Sequence, residues 1–210
     1  MKVLVFGAHP DDIEIGMGGT IGRHVDCGDE VVMIVGTVPS QTQRRKDEAQ
    51  EGAAILGGDL RFLDIESDEF EYNRRLVGQI DDLLKEIDPD LIYTHWDQDS
   101  HQDHNNLSRG VISATRKNRC SVLMYEQTIP GGIVPGGFKA QSYVDISDFI
   151  DRKIESIRAH ASQHELNGDL WLQGVRGRAS YRGFQMNSAY AEAFEVVKEI
   201  EAIFRFRRSA

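Results

Sequence analysis

Cysteine is nearly absent from this sequence, and no apolar run approaches membrane-spanning length. The 210 residues include only Cys27 and Cys120, which lie far apart and outside any C-x-x-C spacing. Neither a disulfide framework nor a thiolate zinc site is therefore predicted. The first apolar run ends after about five residues, too short for the apolar region of a signal peptide or for a span of about 20 residues. We expect a soluble cytoplasmic protein with no membrane partner.

Basic residues are also scarce relative to acidic ones. The chain has 24 Lys and Arg against 34 Asp and Glu, a formal net charge of −10. Binding to phosphate backbones or anionic lipid surfaces requires clustered Lys and Arg, so nucleic acid and membranes are disfavoured as the main partner. A small molecule is the expected partner. The length suits one α/β domain over residues 1–210.

Strand-like and helix-like segments alternate along most of the chain. The predicted strands are Lys2–Gly7, Glu30–Val35, Leu60–Leu63, Leu91–Thr94, Val122–Tyr125 and Tyr143–Ile146. The predicted helices are Ile13–Cys27, Gln41–Leu56, Tyr72–Ile87, His104–Arg116, Ser147–Ala161 and Met186–Phe204. Such alternation predicts a mostly parallel sheet covered by helices on both faces.

Two glycine-rich stretches interrupt this alternation. They are Gln127–Ala140 and Asn167–Phe184, and the second also carries several arginines. Long glycine-rich loops in compact domains often line binding sites. A surface excursion without a ligand accounts for them almost equally well.

Histidine and aspartate collect where two predicted strands end. His9, Asp11 and Asp12 follow the first strand, and His101 and His104 follow the fourth. Ligands of open α/β sheets bind at the carboxyl ends of strands, so we expect these side chains to meet there. Two imidazoles and a carboxylate form a catalytic rather than a structural zinc pattern. The simpler alternative is that the histidines only donate hydrogen bonds and Asp12 caps the first helix.

The adjacent carboxylates suggest how such a site would hydrolyse a carbonyl compound. One of Asp11 and Asp12 can bind the metal while the other takes a proton from the attacking water. The developing oxyanion then needs the metal and a nearby donor, for which a protonated His101 would serve.

These residues belong to motifs that resemble the LmbE-like family, also called the PIG-L deacetylases. The two most specific motifs are Ala8-His9-Pro10-Asp11-Asp12 and His101-Gln102-Asp103-His104. Weaker ones are Arg45-Lys46-Asp47-Glu48-Ala49, Tyr143-Val144-Asp145-Ile146-Ser147, His160-Ala161-Ser162-Gln163 and Tyr190-Ala191-Glu192-Ala193-Phe194. The likeness spans nearly the whole chain and is greatest to the bacterial branch of N-acetylglucosaminyl-malate deacetylases of bacillithiol synthesis.

The resemblance implies a Rossmann-like three-layer α/β sandwich and zinc-dependent removal of an N-acetyl group from a glucosamine-type sugar. By motif, the zinc ligands would be His9, Asp12 and His104, the general base Asp11, the oxyanion or leaving-amine partner His101, and the substrate-binding residues Arg45 and Tyr190. Such a ligand set also accepts Fe²⁺, cobalt or manganese.

Asp99 departs from the family pattern, because some relatives have a tyrosine two residues before the first histidine of the H-x-x-H motif. Other readings of the sequence are weaker. A dinucleotide motif fails at Ile21, where glycine is required. His160 and His164 lie four residues apart without the H-E-x-x-H pattern, so a structural role is favoured over metal binding. His95 and Trp96 lie at the same strand end as the site and would contact substrate or belong to the core.

Two alternative functions stay open from the sequence. One is a metal-dependent hydrolase of another amide or an ester, and the other is a non-catalytic sugar- or metal-binding module on the same fold. A homo-oligomer is expected. The alternation of Phe204 and Phe206 with Arg205, Arg207 and Arg208 suggests a final strand or a subunit contact.

Overall fold

A computed structural model describes residues 1–63, 65–127 and 137–200, and in it seven strands form one sheet. The strands are β1 (Lys2–Gly7), β2 (Glu30–Val35), β3 (Asp59–Phe62), β4 (Leu91–His95), β5 (Ser121–Tyr125), β6 (Ser142–Asp145) and β7 (Ala191–Lys198). Their order is β3-β2-β1-β4-β5-β7-β6, and β7 runs antiparallel to the other six strands.

Helices cover both faces of this sheet, because side chains on successive strand residues point to opposite faces. The helices are α1 (Asp12–Asp26), α2 (Thr42–Leu56), α3 (Arg74–Ile87), α4 (Gln102–Thr115), α5 (Ile150–Arg158) and α6 (Ala161–Met186). On one face, Leu4 and Phe6 of β1 share a core with α3 and α4. On the other, Val3 and Val5 share a core with α1 and α2. The predicted α/β three-layer architecture with a mostly parallel sheet is thus confirmed.

The centre of the sheet creates the crevice where ligands of such folds bind. β1 pairs in parallel with β2 on one side and with β4 on the other. The chain therefore crosses over in opposite directions from β1, and the carboxyl ends of β1 and β4 border a topological switch point. Gly7 and His95 end these two strands, so the motifs that follow them meet in space.

The last part of the fold differs from the sequence prediction. The prediction of a helix over Met186–Phe204 is wrong for the residues that the structure describes, which end at residue 200. Here β7 occupies Ala191–Lys198 and pairs with both β5 and β6. The loop predicted over Asn167–Phe184 is also wrong, since α6 runs through it and packs Trp171 and Val175 into a third core.

Two other predictions fall partly or wholly outside the described residues. In the stretch Gln127–Ala140, residues 128–136 are not described, and neither is the suggested final strand beyond residue 200. Within the described ranges, none of the helices combines the length and apolarity needed to cross a membrane.

Candidate active site

The loop between β1 and α1 places two carboxylates at the carboxyl end of the sheet. Asp11 has a left-handed backbone with φ of 99°, a conformation that costs free energy for a non-glycine residue and is concentrated at functional sites. The Arg45 Nη2 group supports the loop by donating to the Pro10 carbonyl at 2.9 Å. Asp12 begins α1, and its Oδ2 accepts a 2.7 Å bond from the His9 amide.

Asp12 lies buried in the middle of three imidazoles. Its oxygens are 3.3 Å from His9 Nδ1, 3.3 Å from His95 Nε2 and 3.4 Å from His104 Nε2. Gln127 donates a further 2.7 Å bond to Oδ1. Burial alone would raise the pKa of Asp12, but His104 and His95 together with these bonds lower it well below its usual range. Asp12 is therefore a carboxylate that attracts positive charge.

Two of the imidazoles have a second carboxylate behind them. His9 Nε2 lies 2.9 Å from Asp103 Oδ2, and His104 Nδ1 lies 3.2 Å from Asp99 Oδ1. Burial lowers the pKa of both rings, yet these carboxylates and Asp12 raise it to about 9 for His9 and about 10 for His104. Each ring thus has one nitrogen held by a carboxylate and the other directed at Asp12.

His95 is arranged differently from the other two rings. Its Nε2 accepts a 2.9 Å bond from the Ala8 amide, so the lone pair of this nitrogen is already used. Burial and the neighbouring His104 lower the pKa of His95 to about 4, and the ring is neutral. His95 therefore ties the end of β4 to the end of β1 beneath the site.

The donor atoms fit a divalent metal ion. Two sets of three donors each lie within 4.8 Å of one another, His9 with His101 and His104, and Asp12 with His95 and His104. Nitrogen and carboxylate ligands of this kind suit zinc and iron(II). The imidazoles of the cluster already hold positive charge in the form of protons. A metal ion would compete with these protons for the ring nitrogens. The set implied by the resemblance, His9, Asp12 and His104, draws members from both groups.

Asp11 faces the same cavity from beside this cluster. Its Oδ1 lies 3.9 Å from Arg45 Nη2. The pKa of Asp11 is raised to about 7, mainly by burial and secondly by the negative charge of Asp12. A carboxyl group so placed can exchange a proton near neutral pH.

His101 lies across the cavity, directly before α4. Its Nδ1 accepts a 3.2 Å bond from the Asp103 amide, which leaves the proton of the neutral ring on Nε2. The ring stacks on His104 at 4.7 Å between centroids. Burial and the neighbouring imidazoles lower its pKa, so a neutral donor is favoured here over the protonated ring expected from the sequence.

The cavity has a volume of about 310 Å³, and α6 forms its far wall. Gln163 and Asn167 line it one turn apart, before the break in α6 at Gly168, where φ is 62°, and Trp171 lines it from the part of α6 after the break. Sequence reasoning missed Asn167, Trp171 and Gln127, because their segments were predicted as loops, and it named Gln163 only as part of a family motif. The spacing of four between Gln163 and Asn167 was the available signal.

The remaining predicted residues lie in different surroundings. Arg45 lines the cavity, whereas Tyr190 is not among the lining residues and its hydroxyl lies 3.5 Å from Arg176 Nη1. His160 is fully buried with Nε2 at 3.2 Å from Glu14 Oε1. His164 is near Asp169, on the surface. The structure thus brings together all the predicted site residues except Tyr190.

Sequence comparison finds relatives over most of the chain. The profile of the family described as "PIG-L: GlcNAc-PI de-N-acetylase" matches residues 4–115. A diacetylchitobiose deacetylase of Thermococcus kodakarensis is 30% identical in an alignment that covers 95% of this chain and 84% of that protein. A probable N-acetyl-alpha-D-glucosaminyl L-malate deacetylase 2 of Bacillus subtilis is 25% identical, over 78% of this chain and 83% of that protein.

The fold is shared with solved structures. The N,N'-diacetylchitobiose deacetylase from Pyrococcus horikoshii superposes with a TM-score of 0.80 at 24% identity, covering 93% of this chain and 83% of that one.

Proposed function

Because this chain belongs to the PIG-L family, we propose that it is a metal-dependent deacetylase that removes the acetyl group from an N-acetylglucosamine-containing small molecule. One observation carries the proposal. A second carboxylate, Asp11, lines the same cavity as the imidazole and carboxylate cluster, and a site built only to bind a metal or a sugar has no need of it.

We assign the metal to His9, Asp12 and His104. His9 and His104 each have a carboxylate on the far ring nitrogen, as ligating histidines almost always do. His95 is the less suitable ligand, since its Nε2 accepts the Ala8 amide proton. A divalent ion held there would polarise the amide carbonyl and lower the pKa of water to about 7. Zinc is our first choice and iron(II) the second.

The protein groups around this position can then handle the protons. Asp11, fixed near Arg45, takes a proton from the water whose oxygen attacks the acetyl carbonyl carbon. His101 donates from Nε2 to the developing oxyanion or to the leaving nitrogen. Asp11 passes the proton that it took from the water to the leaving nitrogen, the C–N bond breaks, and the products are the free amine and acetate.

The wall formed by α6 suits a sugar. Gln163 and Asn167 offer amides to hydroxyl groups, and Trp171 offers an aromatic ring to the apolar face of a pyranose. The two named relatives are a diacetylchitobiose deacetylase and a probable N-acetylglucosaminyl malate deacetylase. A glucosamine derivative with its sugar ring against α6 is the substrate that we propose.

The test is acetate release from a panel of N-acetylglucosamine conjugates by protein stripped with a chelator and reloaded with zinc or iron. We expect Asp11→Asn to retain the metal and to lose at least about 100-fold in rate, the lower part of the range for a general base. Asp82→Asn, which changes a surface carboxylate paired with Lys85, is the matched control and should behave as wild type.

Normal hydrolysis by Asp11→Asn would refute the base assignment. Including an O-acetyl ester and an unrelated N-acetyl amide in the panel tests the other hydrolase function. Tight metal binding with no release from any compound would favour a binding module instead.

A further inference from the structure

Helix α1 is broken in its middle, five residues after it begins. Met17 has φ of −149° and ψ of 25°, which is not helical, so α1 consists of a short first part and a longer second part. The first part carries Asp12 and Ile15, which both line the cavity. The direction of this first part therefore controls where the carboxylates point.

The backbone groups that the break releases are held by charged side chains from other elements. The Ile15 carbonyl accepts bonds from Lys153 Nζ at 2.8 Å and Arg178 Nη2 at 2.7 Å. The amides of Gly19 and Thr20 donate to the two carboxylate oxygens of Glu192, at 3.1 Å and 2.6 Å. Lys153 and Glu192 are also paired with each other.

In an unbroken helix, the Gly19 amide would donate to the Ile15 carbonyl, four residues earlier. Here these groups have charged partners, so straightening would abandon four hydrogen bonds to form two, from the Gly19 and Thr20 amides to the Ile15 and Gly16 carbonyls. Glu192 also places negative charge at the amino end of the second part, where the helix dipole favours it. The three charged residues thus hold α1 in its broken form.

The location of the pair makes a purely stabilising role a poor explanation. The side chains of Lys153 and Glu192 are 1% and 4% exposed, and removing two charges from water costs free energy that their attraction often fails to recover. What such a pair does provide is a fixed geometry. Lys153 comes from α5 and Glu192 from β7, so two distant elements hold one point of α1.

We propose that Lys153 and Glu192 are positioning residues for the active site. Their hydrogen bonds to the backbone at the break in α1 set the direction of the turn that carries Asp11 and Asp12. The reaction that they serve is the proposed deacetylation, and on that point the inference rests on the proposed function. Neither residue is among those that line the cavity.

The test compares Lys153→Met with Arg152→Met, its neighbour on α5. Arg152 also donates to two backbone carbonyls, those of Ile55 and Leu56 at the end of α2, and pairs with Asp26, the last residue of α1, instead of with the groups at the break. The readouts are thermal unfolding, the kcat and KM of acetate release, and the visible absorption of the cobalt-loaded protein, which depends on ligand geometry. Glu192→Gln is measured in parallel, because it keeps an acceptor at the break and serves if Lys153→Met does not fold.

We expect Lys153→Met and Glu192→Gln to lower kcat by about 10- to 100-fold, since displacements near 1 Å have such effects. KM should change little, the cobalt spectrum should shift, and Arg152→Met should lose stability only. If the folded Lys153 or Glu192 variants keep the kcat and the spectrum of Arg152→Met, the inference is wrong. If wild type releases no acetate, the proposed function fails, and the cobalt spectra still decide whether the pair positions Asp12.

Discussion

His9 and His104 obtain their orientation from carboxylates that the sequence motif does not mark as ligands. Asp103 lies 2.9 Å from His9 Nε2, and Asp99 lies 3.2 Å from His104 Nδ1. A carboxylate in this position fixes the tautomer and rotation of the ring and makes its other nitrogen a stronger donor to a metal. Asp99 thus has a structural reason to stand where some relatives have a tyrosine.

Replacing Asp103 with asparagine should weaken metal binding without removing a ligand. We expect zinc affinity to fall by about 10- to 100-fold, the usual effect of losing such a partner, because the amide neither carries charge nor fixes the proton of His9. Competition with a chromophoric chelator measures the affinity. Asp82→Asn, a change of the same type on the surface of α3, should leave it unchanged. Equal affinities in wild type and Asp103→Asn would refute this role.

Most residues of the candidate site could be predicted one by one from the sequence, because the motifs place them close together along the chain. His9 and Asp12 are three residues apart, as are His101 and His104, so local geometry alone brings each pair together. Gln127 could not be predicted in the same way. Its contact with Asp12 joins residues 115 positions apart, and the pairing of β4 with both β1 and β5 brings them together.

At the scale of single elements, α1 can approach the sheet closely because Gly16 has no side chain. A Cβ atom at this position would lie 2.3 Å from the ring of Tyr125, which is buried and bonded through its hydroxyl to the Phe6 carbonyl. The ring cannot move without breaking this bond. Gly16 therefore serves the close packing of α1 on the sheet.

Two glycine-to-alanine substitutions should have opposite effects on the free energy of unfolding. Gly16→Ala is expected to lower it by about 1–3 kcal/mol through overpacking against Tyr125. Gly78→Ala, in α3 where no atom would lie within 4 Å of the new Cβ, should raise it by about 0.5–1 kcal/mol through helix propensity. Urea denaturation of both variants measures the difference. A Gly16→Ala protein as stable as Gly78→Ala would show that α1 packs less tightly than described.

Elements that depend on distant partners were the ones the sequence misplaced. Ala191-Glu192-Ala193-Phe194 consists largely of residues compatible with a helix, yet it forms β7 because β5 and β6 supply partners on both sides. In α6, Gly174 and Gly177 predict a loop, whereas Trp171 and Val175 anchor a helix in the third core, and Gly168, with φ of 62°, does break the helix. Tertiary packing overrides local propensity in both segments.

At the scale of the whole molecule, the acidic surface includes one helix with exposed apolar side chains. Leu166, Leu170 and Phe184 of α6 are 75%, 77% and 83% exposed. Exposed apolar patches often mark contacts between proteins. The predicted homo-oligomer stays a prediction, and α6 is the surface that we would examine for it.

The whole fold should respond to metal, because the assigned ligands come from two segments nearly a hundred residues apart. His9 and Asp12 follow β1, while His104 lies in α4 after β4, so an ion bound to all three joins the two halves of the parallel sheet. A ligand that binds only the folded state stabilises it by about 2.7 kcal/mol at 100 times its Kd.

We therefore expect zinc at this excess to raise the Tm of chelator-treated protein by about 5–10 °C, given about 2–4 °C per kcal/mol for a domain of this size. Scanning calorimetry with and without zinc measures the shift. His104→Ala should abolish it, because the variant loses one of three ligands. His164→Ala removes an exposed imidazole that lies near Asp169 and should retain the full shift. A zinc response that survives in His104→Ala but disappears in His164→Ala would place the stabilising metal on the surface near α6 instead of between β1 and β4.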